Sequence, residues 1–234
     1  MPRKATQRPA HTSRRHPAGG GYARGERTRG RIIETAIDMF ASLGYERTAT
    51  RAIAKRAAVS LPALQYYFGG KAGLHLACAE YITADIHVRL APAAERVSEA
   101  LSRPRLARAE LLGLLKLVLE PFLESMATER PESWVLFFTR AQIERGAAFD
   151  VLFERVVGTI TRLIAEIVAR LIGRAPDDPE VLIRMLAVVG PIVVVRRGRP
   201  ILLRTLGWPD LSGKRLEALK SGLWTQILSG FSPR

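Results

Sequence analysis

The sequence predicts an all-α protein in two parts, a three-helix unit near the N-terminus and a larger helical domain after it. Three observations carry this expectation. Apolar residues recur at three- and four-residue steps from Glu26 almost to the C-terminus, the spacing that gives a helix one buried face. Glycines and prolines fall between these stretches, and no alternating stretch offers a partner strand to the β-branched run Ile192 to Val195. Charge then separates the two parts. Residues 1–75 hold 14 Lys and Arg against 4 Asp and Glu, whereas residues 76–234 hold 22 against 18.

Taken in order, residues 1–25 are rich in Arg, Pro, Gly, His and Ser and cannot bury enough apolar surface to offset the entropy of ordering. They are expected to form a disordered basic arm, whose Arg3, Lys4, Arg8, Arg14 and Arg15 could add phosphate contacts. From Glu26 a first helix carries Ile32, Ile33, Ala36, Met39, Phe40 and Leu43 on one face, and Gly44 is placed to stop it. Thr48 is expected to cap a short second helix bearing Ile53, Ala54 and Ala57. Ser60 caps a third, with Pro62 in its first turn, and Gly69-Gly70 end it after Phe68. Six further helices are expected over residues 72–90, 104–127, 131–145, 150–173, 179–197 and 212–231, with Pro121 kinking or splitting the second of these.

Composition excludes several classes. With 47% apolar residues in 234, the chain can bury a sizeable core. One cysteine, Cys78, allows neither a disulfide framework nor a thiolate zinc finger, and suits a reducing compartment. The longest apolar run, Met185 to Val195, has 11 residues where a membrane span needs about 20. The basic N-terminus lacks the apolar segment of a secretory signal. The expected location is the cytoplasm, associated with the nucleoid and away from membranes. A formal net charge of +14 concentrated in the first third suggests a polyanion-binding module attached to something else.

Residues 49–68 meet the needs of a helix-turn-helix. Ala54 or Ala57 admits the second helix at close range, Val59 plugs the turn, and the second helix offers polar or flat side chains near its start. The stretch from Arg31 to Leu74 resembles the DNA-binding domain of the TetR family of regulators. The resemblance runs through Ile33, Ala36, Phe40, Gly44-Tyr45, Thr48, Ile53-Ala54, Ala57-Ala58-Val59-Ser60, Leu64, Tyr67-Phe68, Lys71 and Leu74. Two positions depart from the family's pattern: Ala58 stands where a turn glycine is usual, and Gln65 where tyrosine is frequent. Further on, Ala141-Gln142, Gly190-Pro191-Ile192, Arg196, Gly198-Arg199-Pro200, Leu203-Arg204 and Gly207-Trp208 resemble the CecR-like subgroup of that family.

The resemblance implies a DNA-binding domain over residues 26–74 and a ligand-binding and dimerisation domain over 75–234. It implies DNA contacts from Thr50, Arg51, Ser60, Leu61, Pro62, Ala63, Gln65, Tyr66 and Lys71. Arg51 is the candidate for a bidentate guanine contact, and Gln65 for adenine. Leu61, Pro62 and Ala63 suit thymine methyls, Tyr66 a phosphate or base, and Lys71 a phosphate. Tyr67 and Phe68 are expected to pack the small domain. An effector pocket is expected from Phe122, Met126, Trp134, Phe138, Gln142 and Phe149. Pairing through the last helices is expected from Val188, Val189, Ile192, Val193, Leu216, Leu219, Leu223, Trp224 and Ile227, about half of them facing the protomer's own core.

The expected protein is thus a homodimeric, ligand-responsive repressor released from a palindromic operator by a small apolar molecule, with no cofactor. Two alternatives fit the sequence less well. An architectural DNA binder leaves the C-terminal two-thirds without a purpose. A helical-bundle enzyme lacks its signals: there is no phosphate loop, no nucleophile elbow and no Glu-x-x-His pair. His75 and Cys78, three residues apart, have no third ligand near them in sequence, so no metal site is expected.

Overall fold

A computed structural model describes residues 19–127 and 131–231, which form eleven α-helices and no strand. The helices are α1 (Gly19–Leu43), α2 (Thr50–Arg56), α3 (Leu61–Phe68), α4 (Lys71–Leu101), α5 (Arg108–Ala127), α6 (Glu132–Glu144), α7 (Ala147–Leu152), α8 (Gly158–Ile172), α9 (Pro179–Arg197), α10 (Arg199–Leu206) and α11 (Gly213–Ser229). A single π-helical turn, Phe153–Val157, joins α7 to α8. The all-α class holds, and the run Ile192 to Val195 is helical, within α9.

Several boundaries differ from expectation for identifiable reasons. The arm does not extend to residue 25. Residues 19–25 belong to α1, where Thr28 Oγ1 donates to the Arg24 carbonyl and Arg27 Nε to that of Ala23. The arginines and lysine expected to act from the arm lie outside the described residues. Thr48 does not cap α2; it is buried, and its hydroxyl donates to the Gly44 carbonyl at 2.7 Å, closing the turn after α1. Pro92 does not end α4, because it lies on the exposed side of that helix, where the carbonyl it leaves unbonded can be hydrated. The fifth helix begins at Arg108 rather than Pro104, since Glu110 reaches back to accept the Ala107 amide at 2.7 Å, half of a capping box. Pro121 lies within α5 without splitting it. The unexpected α10 starts at a Gly-Arg-Pro sequence that reads as a breaker, yet proline in a first helical turn forfeits no hydrogen bond.

Two apolar clusters form the interior. The larger takes Val97, Leu115, Ile164, Ile167, Val168 and Ile192 from α4, α5, α8 and α9. The smaller gathers Ile32, Ile37, Phe40, Ile53, Leu64 and Leu74 from α1 to α4, and continues into Phe137 and Ala141 of α6 and Ala148 and Leu152 of α7. The core of the N-terminal three-helix unit is therefore not closed at residue 74. Alanines at 141 and 148 let α6 and α7 approach closely, and Phe137, 1% exposed, stacks edge-on against Phe40 at 6.4 Å. This shared core decides how the small unit is held.

Candidate nucleic-acid interface

The helix-turn-helix is built by three local devices. The Ser60 hydroxyl accepts the Ala63 amide at 3.2 Å, capping α3 as expected. Gly69, in the left-handed region at φ 68°, ends the same helix, its amide donating to the Gln65 carbonyl at 2.8 Å. Between the helices, Ala58 sits at φ 50°, and the Val59 amide returns to the Ala54 carbonyl at 3.0 Å. A glycine would take that conformation without the steric cost of a Cβ, about 1–2 kcal/mol for an L-residue. The departure noted at residue 58 is thus visible as backbone strain.

The expected contact residues divide into two groups. Thr50, Arg51, Leu61 and Lys71 line one open concavity of about 440 Å³, with Glu46, Arg47, Thr48 and Ala49 completing its walls. Pro62, Gln65 and Tyr66 are exposed on α3, while Ala63 is partly covered. Tyr66 is 86% exposed and takes no part in packing the small unit. Tyr67 is half-buried and Phe68 buried, in keeping with a packing role; the Arg29 guanidinium lies over the Phe68 ring at 5.6 Å.

Two assignments are altered by the geometry. The Gln65 side-chain amide donates to the Gly69 carbonyl at 3.0 Å, so it caps the end of α3 and would have to swing out to read adenine. The Lys71 ammonium donates to the Glu46 carbonyl at 3.0 Å and lies 4.5 Å from the Tyr45 ring centroid, a cation–π contact. It therefore fixes the 45–49 turn as well as lending charge to the concavity. Arg47 was not anticipated. It lines the same concavity, its Nε anchored on the Leu43 carbonyl at 3.1 Å. Its signal, a lone cation just ahead of Thr48, carries little weight in a chain with 30 arginines.

The six expected pocket residues do not converge. Phe122 is buried in the larger cluster and Met126 packs against it, whereas Trp134, Phe138 and Phe149 pack against the smaller one. Gln142 is exposed and accepts from Arg197 Nη2 at 2.8 Å. The reason is the placement of α6, which lays its aromatic face on the N-terminal unit instead of around a cavity in the C-terminal body. Phe149 alone reaches a sizeable cleft, of about 430 Å³, lined also by Tyr45, His75, Leu76, Glu144 and Arg145. Among the described residues no group of three His, Cys, Asp or Glu side chains could hold a metal ion. His75 instead sits among Phe40, Tyr45 and Phe137, with ring centroids 4.7, 4.9 and 5.0 Å away. Burial holds its pKa below the ordinary value. Burial likewise pushes the Cys78 thiol far up, so it is an inert packing group.

Comparison with known proteins agrees with this architecture. Residues 32–78 match the family described as bacterial regulatory proteins, tetR family. Residues 107–230, more than half of the chain, match the C-terminal domain of the HTH-type transcriptional dual regulator CecR. The CecR regulator of Shigella flexneri is 26% identical over 214 residues, covering 90% of this chain and 96% of that protein. Among solved structures, AibR in complex with isovaleryl coenzyme A and operator DNA aligns with a TM-score of 0.57 at 14% identity, over 85% of this chain and 97% of that one. FadR from Bacillus subtilis, in complex with stearoyl-CoA, aligns at 0.53 and 16% identity, over 86% and 98%.

Proposed function

The chain belongs to the TetR family of bacterial transcription regulators, in its CecR-like subgroup, and from that premise we propose that it is a homodimeric repressor released from a palindromic operator by a small molecule. It is a regulator and not an enzyme. The observation that carries the DNA-reading part is the exposed face of α2 and α3. Pro62, Gln65 and Tyr66 stand clear of the fold beside a concavity that holds Arg47, Arg51 and Lys71. Flat and apolar groups with the Arg51 guanidinium for base edges, flanked by Arg47 and Lys71 for phosphates, form the surface that a recognition helix brings to the major groove.

Dimerisation is supported by α9, which is apolar on both sides. Val181, Met185, Val188, Ile192 and Val195 face the core, while Leu182, Ile183, Leu186 and Val194 are exposed. Of the residues expected at the interface, Val188, Ile192 and Ile227 are buried in the protomer, and Val189, Val193, Leu216, Leu219, Leu223 and Trp224 are partly buried against its core. The pairing face is better assigned to the exposed set. One small module reads too few bases for useful specificity, so two must be coupled.

An effector with an apolar part is supported by the two fold neighbours that carry acyl-coenzyme A molecules. A second reading, that one protein represses some promoters and activates others, is favoured by the dual-regulator description of the matched C-terminal family. Mobility shift with the DNA upstream of the protein's own gene tests the main reading. The folded dimer is expected to shift that fragment, and Arg51→Ala to weaken binding by about 1–3 kcal/mol, the worth of one bidentate base contact. A folded wild-type dimer that enriches no sequence from a random pool would overturn it.

A further inference from the structure

Beyond the apolar packing of α6 and α7 on its core, the small unit is tied to the rest of the molecule at two places. One is α4, which begins at Lys71 directly after α3 and runs unbroken to Leu101. The other is a cluster of hydrogen bonds between α6 and the end of α1, about a hundred residues away in sequence. The last carbonyls of a helix have no partner within it. Here Arg140 of α6 supplies them, its Nε donating to the Ala41 carbonyl and its Nη2 to that of Ser42 at 2.9 Å. One helical turn along α6, the Glu144 carboxylate accepts the Tyr45 amide at 3.0 Å. Between these contacts sits Gly44 at φ 82°, where a Cβ would lie 2.9 Å from Glu144 Oε1 and 3.2 Å from Arg140 Nη1. Its amide donates to the Phe40 carbonyl, closing α1. The glycine is needed both by the turn and by the close approach of the two charged groups.

These bonds are charge-assisted and directional. The guanidinium meets the negative end of the α1 dipole, and the carboxylate meets an amide donor just past it. Added to α4 and to the shared apolar packing, these bonds fix the far end of α1 against α6 and oppose a pivot of the small unit about the start of α4. Elsewhere on α6, one hydrogen bond between exposed side chains joins Gln142 to Arg197, at the C-terminal end of α9. Helix α6 is therefore a strut between the C-terminal body and the DNA-reading unit. The 430 Å³ cleft opens beside the strut and is lined by Glu144 itself, so Glu144 can be reached by whatever enters there.

We propose that Arg140 and Glu144 are positioning residues for DNA recognition, a clamp through which the C-terminal body sets the angle of the helix-turn-helix. The clamp rests on the DNA-binding reading above and extends it: the state of the C-terminal domain reaches DNA through α6 and the end of α1, beside the continuous α4. Neither residue touches DNA. Their loss disturbs the relation between two half-sites and leaves each half-site's chemistry intact.

The test uses the full-length protein, an operator enriched by the wild type from random DNA, and a duplex carrying one half-site. Arg140→Ala and Glu144→Ala are expected to lower affinity for the full operator by about tenfold, in the range of ordinary coupling between sites, with half-site affinity within about twofold of wild type. Hydrogen exchange at the Tyr45 amide should accelerate in Glu144→Ala. Glu144→Gln keeps an acceptor oxygen and should retain both slow exchange and affinity, which separates a positioning role from simple misfolding. Equal losses on full and half-sites would mean that the pair only supports the fold of the small unit, and would overturn the clamp. Unchanged exchange at Tyr45 in Glu144→Ala would also overturn it, even if no DNA were enriched. Enrichment of no DNA by a wild type with a protected Tyr45 amide would instead defeat the DNA-binding reading.

Discussion

At the scale of single residues, Ala58 and His75 show what local chemistry demands. Ala58 occupies a left-handed conformation in the turn between α2 and α3, and it is exposed, so its methyl group adds little packing. Ala58→Gly removes the steric cost, while the more flexible unfolded chain takes part of the gain back. The net expectation is a stabilisation of up to about 1 kcal/mol, read as a raised midpoint of urea unfolding. His75 makes a prediction about pH. Burial lowers its pKa, with Lys71 acting in the same direction and Glu144 across the cleft opposing both. A lowered folded-state value means that the native protein prefers the neutral ring. The stabilising contribution is complete above the unfolded value of about 6.5 and is lost as pH falls through the lowered folded one. The thermal midpoint should therefore drop between pH 7 and pH 5 in the wild type. In His75→Phe, where a ring remains among Phe40, Tyr45 and Phe137 but no proton binds, the drop should shrink. An equal drop in both would remove His75 from the account.

At the scale of elements, the apolar spacing located α1, α2, α3 and α9 because each presents one period of buried residues, and all but α2 carry a local stop or cap. Gly44, Gly69 and the Ser60 hydroxyl are signals whose partners lie within four residues, so sequence alone displays them. Prolines were less legible. Pro92 sits within α4, Pro121 within α5, and Pro200 in the first turn of α10, whereas Pro191 lies inside α9 as expected. Whether a proline ends a helix depends on whether the carbonyl it abandons faces water and where in the helix it falls, and spacing does not encode the first of these. The DNA-facing set was legible as far as it depends on helix position. The side-chain tie of Gln65 to Gly69 and the seat of Lys71 on Tyr45 were not, because they depend on rotamers. The pocket was least legible. Aromatic residues of α5, α6 and α7 announce burial without saying in which of two cores, and α6 chose the core of the DNA-binding unit through Phe137 and Ala141, with Arg140 and Glu144 beside them.

At the scale of the whole molecule, the two clusters and the outer face of α9 define what the protomer lacks. A helix apolar on all sides belongs in an interior, yet Ile183 is 66% and Leu186 61% exposed in the isolated chain. Alongside, α11 presents Ala218, Ser221, Gly222 and Thr225 to solvent, small side chains over which a second copy can approach closely. A two-fold pairing of this face would cover the α9 stripe on both protomers at once, because such an interface uses the same patch twice. The double variant Ile183→Asp, Leu186→Glu places charge on that face without touching Val181, Met185 or Val188, which fill the core. Sedimentation should therefore show a dimer for the wild type and a folded monomer, with unchanged helical content, for the variant. The monomer should bind a half-site normally and lose the affinity for the full operator that coupling two half-sites provides. A variant that stays dimeric would mean that the two copies meet elsewhere. A variant that becomes monomeric yet keeps full-operator affinity would mean that each protomer reads DNA alone, and the strut from the C-terminal body through α6 to α1 would then have no second half-site to align.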